Sequence, residues 1–300
     1  MVFNHLIGVR FPVGPPNFNM KLLRVGQPNK EVPAIIDSNG ILRNLSSLIK
    51  DLNPETINFE LIDKLRNYKI ENLPIVSNET RIGACVSNPQ KFIGIGLNYK
   101  AHAEETNASA PKEPIVFFKS NSSINGPNDN VYLPKDSLKS DWEVELGVII
   151  GKEGKNISKD KSMDHIFGYC IVNDISEREY QLERSNGQWD KGKAFDTFGP
   201  LGPFIVTKDE IKDIQNLNLE LKLNQKVMQN GNTKNMIFTV EHIVSYLSFF
   251  MTLNPGDIIT TGTPPGCGIG RKPQIFLKSG DEMILKIDNL GTQRQKVVSN

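Results

Sequence analysis

The sequence has few of the residues from which zinc sites and disulfide frameworks are usually built. Its 300 residues include three cysteines and four histidines, and no two cysteines form a CxxC pair. Cys85, Cys170 and Cys267 are odd in number and far apart, so neither a disulfide framework nor a cysteine–histidine zinc site is expected. Reduced thiols are the expectation, and with them a cytoplasmic location, or the mitochondrial matrix in a eukaryote.

The sequence also lacks an excess of either charge and any long apolar run. Lys and Arg number 35 against 34 for Asp and Glu, giving a net charge of +1. This balance argues against a nucleic-acid or membrane-surface partner. No apolar run approaches the roughly 20 residues that span a bilayer. A small anionic substrate would therefore have to be met by local positive charge.

The length allows one large domain or two. Residues 1–19 contain no acidic residue and carry three prolines, and Met20 resembles a natural start, so residues 1–19 are interpreted as an extension. Residues 20–85 are predicted to form a small α/β domain. Residues 86–300 are predicted to form the larger, catalytic domain.

Short apolar segments separated by Gly, Pro and Asn predict a β-rich fold. Because regular helices do not alternate with the strands, we expect a mixed, mostly antiparallel α+β fold and not a doubly wound parallel sheet. The predicted helices are Leu45–Leu52, Phe59–Leu65 and Val240–Leu253. The predicted strands are Lys21–Val25, Pro33–Ile36, Phe92–Leu97, Ile115–Phe118, Val144–Ile150, Gly168–Asn173, Phe204–Thr207, Leu217–Leu223 and Ile258–Thr261.

Three acidic residues stand at the ends of two predicted strands. Glu143 and Glu145 are two residues apart and share one face of an extended chain, and Asp174 follows the next strand. Adjacent carboxylates are costly unless a cation or a proton lies between them. Oxygen ligands favour Mg²⁺ or Mn²⁺, with Ca²⁺ as a further candidate, over zinc or copper. The same spacing is also typical of a solvated face of an antiparallel sheet.

A histidine and a glutamate are spaced to share one face of a helix. His102 and Glu105 stand at i and i+3 in a segment with helical character. A carboxylate beside an imidazole orients it as a general base requires. A solvated surface pair has the same spacing. Lys193, between small residues, and Thr263, in a Gly/Pro turn, are further candidates for contact with an anion.

Five segments of the sequence, taken in their order along the chain, resemble segments of the fumarylacetoacetate hydrolase family, especially of its longer bacterial and mitochondrial members. The resemblance runs from about Lys91 to Val298. It implies a β-rich roll for the catalytic domain and a homodimer. The matching segments are Gly96–Glu105, Asp141–Gly151, Asn173–Gln181, Lys193–Pro203 and Thr261–Gly266.

The resemblance also implies a role for each candidate residue. The metal would be held by Glu143, Glu145 and Asp174, and catalysis would involve His102, Glu105 and Lys193. Substrate contacts would come from Gln181, Arg178, Thr263 and Tyr99.

The reaction that the resemblance implies is metal-dependent hydrolysis of a C–C bond in a 2,4-dioxo acid, such as an acylpyruvate or a diketo-deoxy-sugar acid. His102 and Glu105 would activate the attacking water. Glu177 and Glu179 depart from the commoner pattern around Arg178, which leaves the substrate open. Ureidoglycolate lysis, oxaloacetate decarboxylation, 2-oxo acid isomerisation and sugar-acid dehydration remain alternatives on the same site, because fold alone does not select the reaction. A metal-binding protein without catalysis is the alternative of a different class.

Overall fold

The structure, a computed structural model, describes residues 20–299 and the backbone of two short strands before them, β1 (His5–Leu6) and β2 (Val9–Arg10). The predicted extension, residues 1–19, otherwise lies outside the described residues. No helix in the described part of the chain is long and apolar enough to cross a membrane.

Strands dominate the described residues, and the helices between them are short. The α-helices are α1 (Phe59–Arg66), α2 (Lys100–Glu105), α3 (Asp190–Lys193) and α4 (Val240–Phe250). The 3₁₀ segments of the described residues are Ile70–Asn72, Asn121–Ser123, Lys159–His165, Lys208–Glu210 and Thr233–Asn235. A π-helical segment spans Glu179–Glu183. The remaining strands are β3 (Lys21–Val25), β4 (Val32–Ile36), β5 (Leu42–Asn44), β6 (Ile82–Gly83), β7 (Phe92–Gly96), β8 (Ile115–Phe118), β9 (Ile124–Asn125), β10 (Val131–Leu133), β11 (Ser140–Asp141), β12 (Val144–Ile150), β13 (Ile166–Asn173), β14 (Ser176–Glu177), β15 (Gly199–Thr207), β16 (Asn218–Leu223), β17 (Lys226–Asn232), β18 (Ile258–Thr260), β19 (Glu282–Ile287) and β20 (Gly291–Ser299).

Two sheets enclose the main core. The larger has the strand order β5-β4-β3-β15-β13-β12-β18-β7-β8, and the smaller has the order β10-β20-β19-β16-β17. Most neighbouring strands are antiparallel, whereas the pairs β7–β18, β10–β20 and β9–β15 are parallel. Buried side chains of both sheets, such as Leu146 and Leu221, belong to one apolar cluster. The predicted mixed, mostly antiparallel α+β fold is confirmed.

Strand β12 is the clearest case of sequence pattern determining position. Val144, Leu146 and Val148 point into the core between the two sheets, whereas Ile149 belongs to a second apolar cluster on the opposite face. Successive side chains of a strand point to opposite faces of the sheet because the backbone is pleated. Glu145 therefore points away from the Val144 face.

The N-terminal strands extend the large sheet. Strand β3 pairs antiparallel with β15, with Leu22 opposite Ile205. The second apolar cluster contains Leu22 together with Phe167 of β13, so residues on both sides of the predicted boundary at residue 85 share a core. The division into two domains stays a prediction.

The predicted helix Leu45–Leu52 is wrong, because this segment consists of turns. The Asn44 side chain accepts a hydrogen bond from the amide of Ser46. Asp51 Oδ1 lies 2.7 Å from Arg24 Nε, an ion pair with strand β3. Local hydrogen bonds of Asn and a long-range ion pair thus override an apolar spacing that suits a helix.

Candidate functional site

Antiparallel pairing of β12 and β13 brings three buried carboxylates together. Val144 lies opposite Asn173, and the amide of Asp174 donates to the carbonyl of Glu143 at 2.9 Å. One carboxylate oxygen from each of Glu143, Glu145 and Asp174 lies within 4.8 Å of the others. None of the three residues is more than 4% exposed. The group is therefore a buried cluster and not a solvated sheet face.

Two buried lysines meet these carboxylates. The Nζ of Lys193 lies 2.7 Å from both Glu143 Oε2 and Asp174 Oδ2. The Nζ of Lys119 lies 2.7 Å from Asp174 Oδ1. Burial opposes the charge on both lysines, but Asp174 and Glu143 raise the pKa of Lys193 above its ordinary value. Burial instead lowers the pKa of Lys119.

Arg178 binds the carboxylate oxygen of Glu143 that Lys193 does not contact. Its Nη2 lies 2.7 Å from Glu143 Oε1, its Nε donates to Asp141 Oδ2 at 2.9 Å, and its Nη1 donates to Gln181 Oε1 at 2.9 Å. Asp141 in turn accepts from the backbone amides of three residues, Trp142, Gly268 and Ile269. A guanidinium held by two carboxylates is rigid, so Glu143 has little freedom to turn away.

The carboxyls of Glu143 and Glu145 have opposite pKa shifts. Burial alone would raise the pKa of Glu143, but the cations Lys193 and Arg178 hold it well below its ordinary value. Burial raises the pKa of Glu145 well above its ordinary value, and the charges of Asp174 and Glu143 raise it further. Glu145 Oε2 accepts from the Thr260 hydroxyl and from the Gly262 amide.

This donor set fits a hard divalent cation. Oxygen ligands from carboxylates are what Mg²⁺, Mn²⁺ and Ca²⁺ prefer. The cluster contains one more acidic group than basic groups. The pKa of Glu145 is raised, so without a metal this carboxyl holds a proton, and a bound cation would replace that proton. The acidic members are Asp141, Glu143, Glu145 and Asp174, and the basic members are Lys119, Arg178 and Lys193.

The raised pKa of Glu145 predicts that the protein in EDTA loses stability as the pH rises. The folded state holds this proton at a pH where the unfolded state has released it, so the contribution is complete below the ordinary pKa and disappears as pH rises through the folded pKa. Glu143 has the opposite shift and loses its contribution only at acid pH. Denaturation between about pH 5 and 8 measures the slope. Glu145→Gln should flatten it, and an unchanged slope in that variant would contradict the assignment.

Helix α2 places a histidine–glutamate pair at the same cleft. His102 Nδ1 lies 2.7 Å from Glu105 Oε1, and Glu105 Oε2 accepts from the Gly266 amide at 2.8 Å. A carboxylate only accepts, so Nδ1 carries the proton and Nε2 of the neutral ring is left with the lone pair. His102 is 5% exposed and lines the cleft.

The cleft has a cavity volume of about 160 Å³. This is smaller than the roughly 300–1,000 Å³ of sites for drug-sized ligands, so the cleft suits a small molecule. Two glycines of β7 leave space for the aromatic rings that line the cleft. A Cβ on Gly94 would lie 2.2 Å from the Phe117 ring, and a Cβ on Gly96 would lie 2.3 Å from the Trp189 ring. The predicted site residues that line it are His102, Glu143, Glu145, Arg178, Gln181, Lys193 and Thr263.

The structure does not bring Tyr99 to the cleft wall. Its ring is 2% exposed and belongs to the main apolar core, at the residue that precedes α2. Burial raises the pKa of Tyr99, so the phenol stays neutral. Thr263 lines the cleft, but its hydroxyl donates to the Val144 carbonyl and accepts from Gln229 at 2.7 Å.

Sequence reasoning missed Lys119 and Asp141. Lys119 directly follows β8, and Asp141 ends β11, two residues before Glu143. A charged residue close to a predicted strand was the available signal in both cases.

Comparison with known proteins now identifies the family. A family profile described as Fumarylacetoacetate (FAA) hydrolase C-terminal matches residues 91–298. The chain belongs to the fumarylacetoacetate hydrolase family. A Burkholderia cenocepacia protein named provisionally as a hydrolase is 54% identical to this family member over 277 residues, covering 92% of this chain and 98% of its own.

Two solved structures show the range of reactions among relatives of this fumarylacetoacetate hydrolase family member. Maleylpyruvate hydrolase from Sphingobium sp. SYK-6, in complex with manganese (II) ion and pyruvate, has a TM-score of 0.77 at 27% identity, covering 94% of this chain and 100% of its own. The 5-carboxymethyl-2-hydroxymuconate delta-isomerase of Mycobacterium smegmatis has a TM-score of 0.72 at 31% identity, covering 94% and 99%. The family thus includes hydrolases and isomerases of small acids.

Proposed function

We propose that the protein is a divalent-metal-dependent hydrolase that cleaves a C–C bond in a 2,4-dioxo acid, such as an acylpyruvate or a diketo-deoxy-sugar acid. The observation that carries the proposal is that the carboxylates of Glu143, Glu145 and Asp174 lie together, and that two of them, Glu143 and Glu145, line a cleft that His102 also lines. The solved maleylpyruvate hydrolase with manganese and pyruvate supports it.

Glu143, Glu145 and Asp174 would hold the cation, and Mg²⁺ or Mn²⁺ suits these ligands best. When bound, the cation supplies Lewis-acid polarisation of the substrate's 2-oxo group. With two positive charges added, the cluster's excess of one acidic group becomes an excess of one positive charge. Arg178, which lines the cleft, then stands where the carboxylate of a 2-oxo acid would bind.

His102 would act as the general base. Glu105 accepts the Nδ1 proton and orients the ring, so Nε2 can take a proton from the water that attacks the carbonyl remote from the acid group. Lys193 and Gln181 would stabilise the oxyanion that forms there. As the C–C bond breaks, His102 returns the proton to the departing carbon. The products are a carboxylic acid and a pyruvate-type 2-oxo acid.

Isomerisation of an unsaturated 2-oxo acid is the second candidate, and the delta-isomerase structure favours it. In this case His102 would move a proton between two carbons of the substrate and no water would be consumed. Both reactions use the same groups, so the number and identity of the products distinguish them.

Turnover of a small substrate panel with Mg²⁺ or Mn²⁺, with and without EDTA, tests the proposal. The panel contains acetylpyruvate, a 2,4-diketo-3-deoxy sugar acid, oxaloacetate, ureidoglycolate and an unsaturated 2-oxo diacid. We expect cleavage of a 2,4-dioxo acid that stops in EDTA and returns with added cation. Conversion of only one of the other substrates would assign that reaction instead. A chelator that lowers stability while no substrate turns over would indicate a metal-binding protein without catalysis.

A further inference from the structure

A second group of potential metal ligands lies beside the carboxylate cluster and shares none of its members. A ring nitrogen of His102, a carboxylate oxygen of Glu105 and the Sγ of Cys267 all lie within 4.8 Å of one another. Cys267 is fully buried, His102 is 5% exposed and Glu105 is partly buried. The proposed hydrolysis uses the histidine and the glutamate but gives the thiol no role.

The fold holds these three side chains together from two elements. His102 and Glu105 come from α2, and Cys267 comes from the loop after β18. The amide of Gly266, next to Cys267, donates to Glu105 at 2.8 Å, which ties the loop to the helix. Gly270 makes room for Glu105, since a Cβ there would lie 2.6 Å from the carboxyl carbon.

The three donors are of the type that zinc prefers. Zinc binds imidazole nitrogen, thiolate sulfur and carboxylate oxygen in tetrahedral sites, and a site with three protein ligands leaves the fourth position for water. The neighbouring triad offers oxygen alone, which favours harder cations. The two adjacent clusters therefore differ in the class of cation that each prefers.

We propose that His102, Glu105 and Cys267 form a binding site for thiophilic divalent cations, Zn²⁺ foremost, and that occupation of this site inhibits the enzyme. The Cys267 thiol loses its proton to solvent when the S–metal bond forms, and no other covalent bond changes. Zinc–ligand distances of about 2.0–2.3 Å require the side chains to move inward by about 1 Å. His102 lines the cleft, so a cation that enters the cleft would meet this group at its histidine.

Inhibition follows because the site would recruit the histidine–glutamate pair. A ring nitrogen of His102 and an oxygen of Glu105 would become ligands, so His102 could no longer take a proton in the orientation that Glu105 imposes. The carboxylate triad could still hold Mg²⁺. This inhibition rests on the proposed function, whereas cation binding does not.

Spectroscopic titration with Co²⁺ in excess Mg²⁺ tests binding without any substrate. Mg²⁺ keeps the oxygen cluster occupied, and a thiolate–Co²⁺ charge-transfer band reports sulfur ligation. We expect a band that saturates near one equivalent, disappears in Cys267→Ala and is displaced by Zn²⁺. Cys170→Ala, which removes another buried thiol, should keep the band. Glu105→Gln retains the thiol but removes a charged ligand, so it should weaken Co²⁺ binding by more than the roughly 10-fold lost with an outer-shell partner.

Two results would overturn the site. One is the absence of a charge-transfer band in wild-type protein, and the other is a band that persists unchanged in Cys267→Ala. If a substrate is found, Zn²⁺ should inhibit the wild type at concentrations that leave Cys267→Ala active. Equal inhibition of both proteins would reject the inhibitory role. Failure to find any substrate would reject the proposed function and leave the Co²⁺ result unaffected.

Discussion

His102→Asn is expected to lower kcat by about 10²–10⁴-fold, the usual contribution of a positioned general base. Asparagine keeps a polar side chain on α2 but cannot take a proton from water. Neither His102 nor Glu105 belongs to the carboxylate triad, so affinity for Mn²⁺ should stay within a few fold. Steady-state kinetics on the substrate identified by the panel, with Mn²⁺ titration of the same preparation, measures both quantities.

His242→Asn is the matched control for this experiment. His242 lies on α4, stacked between Phe238 and Tyr246, with ring centroids 5.3 and 6.0 Å away, and does not line the cleft. Its kcat should equal that of the wild type. Wild-type turnover in His102→Asn would remove His102 from the mechanism and leave the cation site in place.

Arg178→Met is expected to destabilise the protein by about 3–5 kcal/mol, the cost of leaving a buried charge without its partner. Arg178 is 4% exposed and binds both Asp141 and Glu143. Methionine has a similar length and is apolar, so Asp141 and Glu143 would stay buried beside it but lose the guanidinium that neutralises and binds them both. Chemical denaturation of both proteins at neutral pH measures the loss.

Arg184→Met provides the control, because this arginine lies in the same segment but is exposed. Its guanidinium lies 3.6 Å from Glu179, and its side chain is 54% exposed. The change in stability should be within about 0.5 kcal/mol. If Arg178→Met cost no more than Arg184→Met, the buried ion-pair network around Glu143 would not contribute to folding.

The fold class and the carboxylate cluster could be predicted because both depend on strand geometry. Alternation along Val144–Ile150 fixes which side chains enter the core, and two antiparallel neighbours bring the start of one strand to the end of the next. Asp174 therefore arrives beside Glu143. The pairing of His102 with Glu105 depends only on helical spacing, so it could also be predicted.

Contacts between segments far apart in the chain could not be predicted from local pattern. Lys119 reaches Asp174, and Cys267 reaches His102, through tertiary packing alone. The sequence contains no zinc-binding spacing motif, because the potential ligands His102, Glu105 and Cys267 come from a helix and from a loop far away in the chain. Tyr99 precedes the His102 helix, but the direction of its side chain into the core depends on the whole fold. The homodimer remains a prediction.

The measurement that tests the central claim most directly is anomalous diffraction from a crystal grown with Mn²⁺. The claim is that the carboxylates of Glu143, Glu145 and Asp174 hold one hard divalent cation. The account predicts a single manganese peak about 2.0–2.4 Å from an oxygen of each residue, with Lys193 displaced from its bridging position or retained beside the ion. A cluster with no peak at saturating Mn²⁺, and with Lys193 still 2.7 Å from both Glu143 and Asp174, would contradict it.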